Sequence, residues 1–224
     1  MPFVRRTPLV NGEFYHIFNR GVARAPTFVS RAEYKQAMLT LSYYRYAKPP
    51  VSLARFKEFS QEERQQLLDS LRKAEKLVEI VAFVLMPNHF HFLLKQNQNN
   101  GISKFASQFT NSYTRYFNTL NDRVGPLFQG VFKSVHVETD EQLIHLSRYI
   151  HLNPVVSNVI RESDLLAYPW SSLSDYVGDG VSAQISTESV LSHFKNPQEY
   201  KRFVFDQIGY GKKLEKIKHL IMDD

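Results

Sequence analysis

Residues 78–94 read VEIVAFVLMPNHFHFLL, and no other stretch restricts the fold as tightly. Two runs rich in β-branched, aromatic and aliphatic residues flank Pro87-Asn88, a pair with ordinary turn chemistry, so the segment predicts a β-hairpin. Side chains alternate across a strand. His89 and His91, which open the second strand, therefore project from one face about 7 Å apart, while Phe90, Phe92 and Leu94 project from the other. That spacing suits a shared metal ion, but it equally describes half-buried strand residues bonded to neighbours, because two ligands do not complete a site. A third ligand must come from elsewhere.

The rest of the pattern places this hairpin in an α+β fold. Glu13 to Arg20 (EFYHIFNR) reads as a strand broken at Gly21. Ser30 and Glu33 have capping-box spacing ahead of a helical pattern through Met38, Leu39 and Leu41. Residues 48–76 open with Pro49-Pro50 and hold a second capping-box pair, Ser60 and Glu63, before a charged helix whose Leu67, Leu68 and Leu71 make only a narrow stripe; this reads as a helical insertion. After the hairpin, Ile102, Phe105, Phe109, Tyr113, Tyr116 and Phe117 mark one face of a helix packed on a sheet. Val131 to Glu138 follows the Gly125-Pro126 turn as another strand. Strand, helix, strand, strand, helix, strand is the ferredoxin-like or RRM-like arrangement: an antiparallel sheet with helices on one face and the other free for a ligand. The division expected is a main domain over 1–176 with the insertion 48–76, then a helical, basic C-terminal extension over 177–224. That extension holds a helix near Pro197 to Asp206 and a Lys-rich run from Lys212 to Lys218.

Composition narrows the function classes. The 224 residues carry a net charge of +6, with basic residues spread along the chain, Arg5 and Arg6 included, which favours a polyanionic partner. There is no cysteine, so disulfides and thiolate sites are excluded and a metal must be held by imidazole, carboxylate or amide groups. No apolar stretch reaches membrane-spanning length and MPFVRRTPLV lacks a signal-peptide core, so a cytoplasmic protein with no membrane partner is expected.

The stretch TDEQLIHLSRYIHLNPV supplies the missing groups. Thr139 and Gln142 have capping-box spacing, and the helix should end before Pro154, because the residue preceding proline resists helical geometry. Leu143, Leu146 and Ile150 form its core stripe, Tyr149 and Asn153 stand one turn apart on the flank near His145, and His151 and Arg148 point elsewhere. By itself a tyrosine beside a core stripe is a packing residue and an asparagine before proline is a helix stop.

MPNHFHFLL with RYIHLNPV resembles the single-tyrosine transposases of the His-hydrophobic-His superfamily, of the IS200-like kind, and especially the REP-associated tyrosine transposases. YHIFNRG (Tyr15 to Gly21), GPLFQGVFKS (Gly125 to Ser134) and YPWSS (Tyr168 to Ser172) resemble that branch in the same order, so the likeness covers most of residues 13–176. Val131 stands where a basic residue is expected in many relatives, and the insertion and the tail are poorly covered.

The resemblance implies a metal-dependent single-stranded DNA endonuclease and strand transferase. His89, His91 and Asn153 would bind a divalent ion, Mg²⁺ or Mn²⁺, and Tyr149 would be the nucleophile. The substrate would be single-stranded DNA with imperfect palindromes or hairpins, cleaved through a 5′-phosphotyrosine intermediate. His145 is a weak candidate for assisting the attack and alternatively a solvent-facing residue. Arg20, Arg115, Arg123 and Lys133 are candidate phosphate contacts. Monomer and homodimer both fit. Two other readings compete: a domesticated hairpin DNA- or RNA-binding protein without useful catalysis, and a metallohydrolase that uses the histidines alone to activate water, which leaves Tyr149 without a role.

Overall fold

The structure, a computed structural model, describes residues 8–178 and 184–209. Arg5, Arg6 and the run Lys212 to Lys218 lie outside the described residues. In chain order the elements are β1 (Phe14–Arg20), α1 (Arg31–Tyr44), α2 (Leu53–Glu58), α3 (Gln61–Arg72), β2 (Val78–Met86), β3 (His89–Gln96), α4 (Gly101–Leu120), β4 (Lys133–Val137), α5 (Asp140–Val156), α6 (Leu173–Val177), α7 (Glu188–Leu191) and α8 (Pro197–Phe205), with short 3₁₀ turns after β1 and α5. The four strands form one antiparallel sheet in the order β2-β3-β1-β4, which is the expected ferredoxin-like topology.

Period-two alternation sets what each face does. On β1, Tyr15, Ile17 and Asn19 are buried and Phe14, His16, Phe18 and Arg20 are half-buried, so a slip of one residue would expose the core set. Phe90 and Phe92 on the first face meet Phe109 of α4 edge to face, at centroid distances of 5.2 and 5.1 Å. The apolar stripe read along α4 is thus a packing stripe: Ile102, Phe105, Phe109, Tyr113 and Phe117 are buried. Helix α1 packs on α4, its start fixed by a complete Ser30–Glu33 capping box. On the opposite face α5 lies chiefly over β2, and the β1–β4 side is more open, with Val135 54% exposed.

The segment 48–76 builds a small second core: Leu53, Phe56 and Leu71 cluster with Tyr43 and Tyr46 at the end of α1, and Leu67 and Leu68 pack against them. YPWSS covers the outer edge of β2. Leu85 N donates to the Trp170 carbonyl at 2.9 Å and Ser172 N to that of Phe83 at 3.0 Å, so the edge is paired by a short segment and not left to solvent. The described part of the C-terminal extension joins the main core through Ile185, Val190, Tyr200, Val204 and Ile208.

Two local expectations differ from the structure. The last strand is shorter than residues 131–138. Helix α5 does not stop at Asn153 but continues to Val156, with Pro154 in its final stretch. The bias against helix before proline is local, and here burial of Asn153, Pro154 and Val155 outweighs it. The chain leaves the helix just afterwards, where Ser157 N donates to the Asn153 carbonyl and Val159 N to that of Pro154.

Candidate active site

The turn that delivers the histidines is built by two segments. Gly21 N donates to the Asn88 carbonyl at 2.8 Å, Thr27 N to that of Pro87 at 2.7 Å, and Asn88 Nδ2 to the Arg24 carbonyl at 3.1 Å, so the loop after β1 wraps the hairpin tip. Gly21 has to be glycine: a Cβ there would lie 2.3 Å from the Ala25 carbonyl oxygen.

Cross-strand pairing then lays out the face. Phe18 pairs with His91 and with Lys133, and Arg20 pairs with His89. Directly paired residues share a face. One row therefore runs His91, Phe18, Lys133, and the next holds His89 and Arg20. The His89 and His91 rings are 5.0 Å apart, near-perpendicular. His91 is 8% exposed, and its Nδ1 is 2.9 Å from Nε2 of His16, whose ring stacks on it at 5.0 Å. His89 Nδ1 is 2.7 Å from Asn88 Oδ1. Burial pushes the His16 pKa down to about 4, so this imidazole is neutral at neutral pH.

Helix α5 brings Tyr149 to the same place. Its ring is 5.5 Å from that of His91 and 6.3 Å from that of His16, edge-on to both, and it stays 39% exposed. Asn153 lies one turn further along, 6% exposed, its Oδ1 accepting from the Ser157 hydroxyl at 3.3 Å. Among the described residues no three histidine, aspartate or glutamate side chains converge as a metal cluster, so a third ligand would have to be of another type.

The candidate phosphate contacts divide. Arg20 and Lys133 stand on the histidine face, and β1, β3 and β4 contain no aspartate or glutamate. Arg115 is exposed on α4, the helix that covers the opposite face. Arg123 braces the loop after α4, donating to Asn118 Oδ1 at 2.9 Å and the Pro126 carbonyl at 2.8 Å. His145, one turn before Tyr149, is engaged elsewhere, with Nδ1 2.6 Å from an Arg148 nitrogen and its ring 5.6 Å from Phe203. Val131 is exposed just before β4. Sequence reasoning passed over His16 and Asn88. The signal for His16 was present in YHIFNRG, where it alternates with Phe18 and Arg20.

The family described as Transposase IS200 like matches residues 51–153, which include His89, His91, Tyr149 and Asn153. The chain resembles the IS200-like transposases. The matched span begins inside the segment read as an insertion and stops short of YPWSS. A solved structure of a REP-associated tyrosine transposase bound to a REP hairpin is similar in fold, with a TM-score of 0.51 at 15% identity, over 83% of this chain and 92% of that one. None of the curated proteins matches. The resemblance read from the sequence is borne out by the family match and the shared fold.

Proposed function

We propose that this IS200-like chain is a metal-dependent single-stranded DNA endonuclease and strand transferase that acts at DNA hairpins through Tyr149. The observation that carries the reading is the placement of the Tyr149 ring 5.5 Å from His91, on the face of the sheet that also carries Arg20 and Lys133. The hairpin as substrate is taken from the similar REP-associated transposase, which binds one.

The donor set fits a divalent ion. His89 and His91 each have Nδ1 engaged within the chain, by Asn88 and by the neutral His16, so that Nε2 of each ring would be the atom to ligate such an ion. With His16 as acceptor, an Nδ1–H on His91 gives the tautomer that a metal ligand needs. Asn153 would add an amide oxygen, a set suited to Mg²⁺ or Mn²⁺. When bound, such an ion would supply charge stabilisation at the phosphate oxygens.

The chain's own groups do the rest. Arg20 and Lys133, both on the β1–β4 side of the histidines, hold phosphates. The Tyr149 oxygen attacks phosphorus in line, the Tyr–O–P bond forms, and the P–O3′ bond breaks. Its electron pair stays on O3′, which takes a proton and leaves as a 3′-hydroxyl, while the phenol proton passes to solvent. A 5′-phosphotyrosine keeps the bond energy of the broken ester, so another 3′-hydroxyl can reverse the step and rejoin strands without ATP. The setting is the cytoplasm. Among the described residues no helix is long and apolar enough to cross a membrane.

A denaturing gel tests the reading. With hairpin-bearing single-stranded DNA and Mn²⁺, the protein should form an adduct that Tyr149→Phe cannot form. Tight hairpin binding with no cleavage of any substrate would favour a pure DNA- or RNA-binding protein, and cleavage without an adduct would favour a metallohydrolase.

A further inference from the structure

His151 is fully buried and takes no part in the site, because it stands about 200° round α5 from both Tyr149 and Asn153. Its two ring nitrogens are nonetheless both engaged, and counting protons gives the bonds a direction. The Ser147 hydroxyl donates to the Ile144 carbonyl at 2.7 Å, so Ser147 Oγ receives the Tyr200 hydroxyl, 3.0 Å away. The Tyr200 oxygen then receives Nδ1–H of His151 at 2.7 Å. A neutral imidazole that donates from Nδ1 accepts at Nε2. The Ser172 hydroxyl, 2.9 Å off, donates to it, and Ser172 Oγ accepts Phe83 N–H at 2.9 Å. The Phe83 carbonyl, 3.3 Å from Ser172 Oγ, already accepts Ser172 N–H at 3.0 Å, and the hydroxyl proton goes to the closer imidazole nitrogen. One unbroken chain therefore runs from the backbone of β2 through YPWSS, α5 and α8 and back into α5.

A second set of contacts joins the same two helices. The Arg148 guanidinium lies 4.1 Å over the Phe203 ring, and the His145 ring is 5.6 Å from Phe203. Positions 145, 147, 148 and 151 of α5 thus all meet α8, over an arc that runs from His145, beside Tyr149, to Ser147 and His151 on the opposite side. Apolar contacts such as those of Leu143 and Ile150 hold α5 on the sheet, but they are non-directional and tolerate small rotations. A directional chain does not.

We propose that α8 is a positioning element for the nucleophile: the Tyr200–His151–Ser172 chain fixes the rotation of α5 over the sheet and, with it, the place of the Tyr149 phenol beside His91. The inference rests on the reading of Tyr149 as the attacking group. It gives the C-terminal extension a role in catalysis that involves no contact with DNA.

Tyr200→Phe keeps the ring and removes the hydroxyl. At saturating hairpin DNA and Mn²⁺, adduct formation should slow by roughly tenfold or more, because a misplacement of about 1 Å can cost on the order of a hundredfold. Hairpin affinity should stay within about twofold of wild type, since the DNA face is untouched, whereas a merely structural loss would leave the rate per folded molecule unchanged. Ser147→Ala breaks the same chain with a smaller change, and serves if Tyr200→Phe does not fold. The double variant should be no slower than the slower single one. Either variant reacting at the wild-type rate overturns the proposal. A wild-type protein that forms no adduct with any hairpin sinks the nucleophile reading instead. In that event amide exchange of residues 140–156 in the DNA-free protein still decides the positioning claim: faster exchange in Tyr200→Phe supports it and unchanged exchange overturns it.

Discussion

At the scale of single side chains, the His16 imidazole supports the candidate metal centre without belonging to the histidine motif. It stays neutral because it is buried, and it engages His91 Nδ1 at 2.9 Å. Partners of this kind are worth about 10–100-fold in metal affinity where they have been removed. His16→Ala should therefore weaken Mn²⁺ binding, measured by titration calorimetry, by roughly that factor while metal-free hairpin binding is kept; unchanged Mn²⁺ affinity would remove His16 from the centre. Placement also separates the four candidate phosphate contacts. Replacing Arg20 or Lys133 by alanine should lower the salt dependence of hairpin binding by about one phosphate contact each. Arg115→Ala should leave that slope alone, because α4 carries the residue on the other side of the sheet. A slope that falls for Arg115→Ala and not for Lys133→Ala would contradict the assignment of the DNA face.

At the scale of elements, the chain through His151 ties β2, α5 and α8 to one ionisation state. The folded protein holds this histidine neutral down to about pH 3, whereas the unfolded chain protonates it near 6.5. Below pH 6.5 the unfolded state therefore binds the extra proton, and stability falls as pH drops toward 3. The slope from this group is at most about 1.4 kcal/mol per pH unit, or up to about 5 kcal/mol across the window; His16 acts in the same direction over a narrower range. Urea midpoints measured between pH 7 and 4 should show the loss, and His151→Gln should flatten the curve; an equally steep curve would mean that other groups carry it. Elements with strong local signals were legible in the sequence. The hairpin at 78–96 was, because alternation leaves one register that buries the aromatic face, and so were the Ser30–Glu33 and Ser60–Glu63 capping boxes, because each satisfies backbone donors within four residues. Short α2, α6 and α7 carry too few residues for a period to show. The overrun of α5 past Pro154 escaped notice because a local rule yields to burial that only the packed molecule supplies. His16 escaped because its partner lies 75 residues away, and only the sheet register brings the two together.

At the scale of the whole molecule, one chain brings its own Tyr149 to its own His91, while the last described helix holds the tyrosine helix from behind. A mixture of Tyr149→Phe and His91→Ala proteins should therefore stay inactive, since neither chain can complete the other's site. Recovered adduct formation in the mixture would mean that the tyrosine helix is exchanged between copies. The proposed function stands or falls on whether a phenolic oxygen of this chain becomes bonded to DNA phosphate beside the histidine pair. Its most direct test is mass spectrometry of the protein after reaction with hairpin DNA and Mn²⁺ and digestion of both polymers. A nucleotide linked through its 5′-phosphate to the peptide that contains Tyr149 is the expected product. A nucleotide found on another residue, or DNA cleaved with every peptide unmodified, would contradict it.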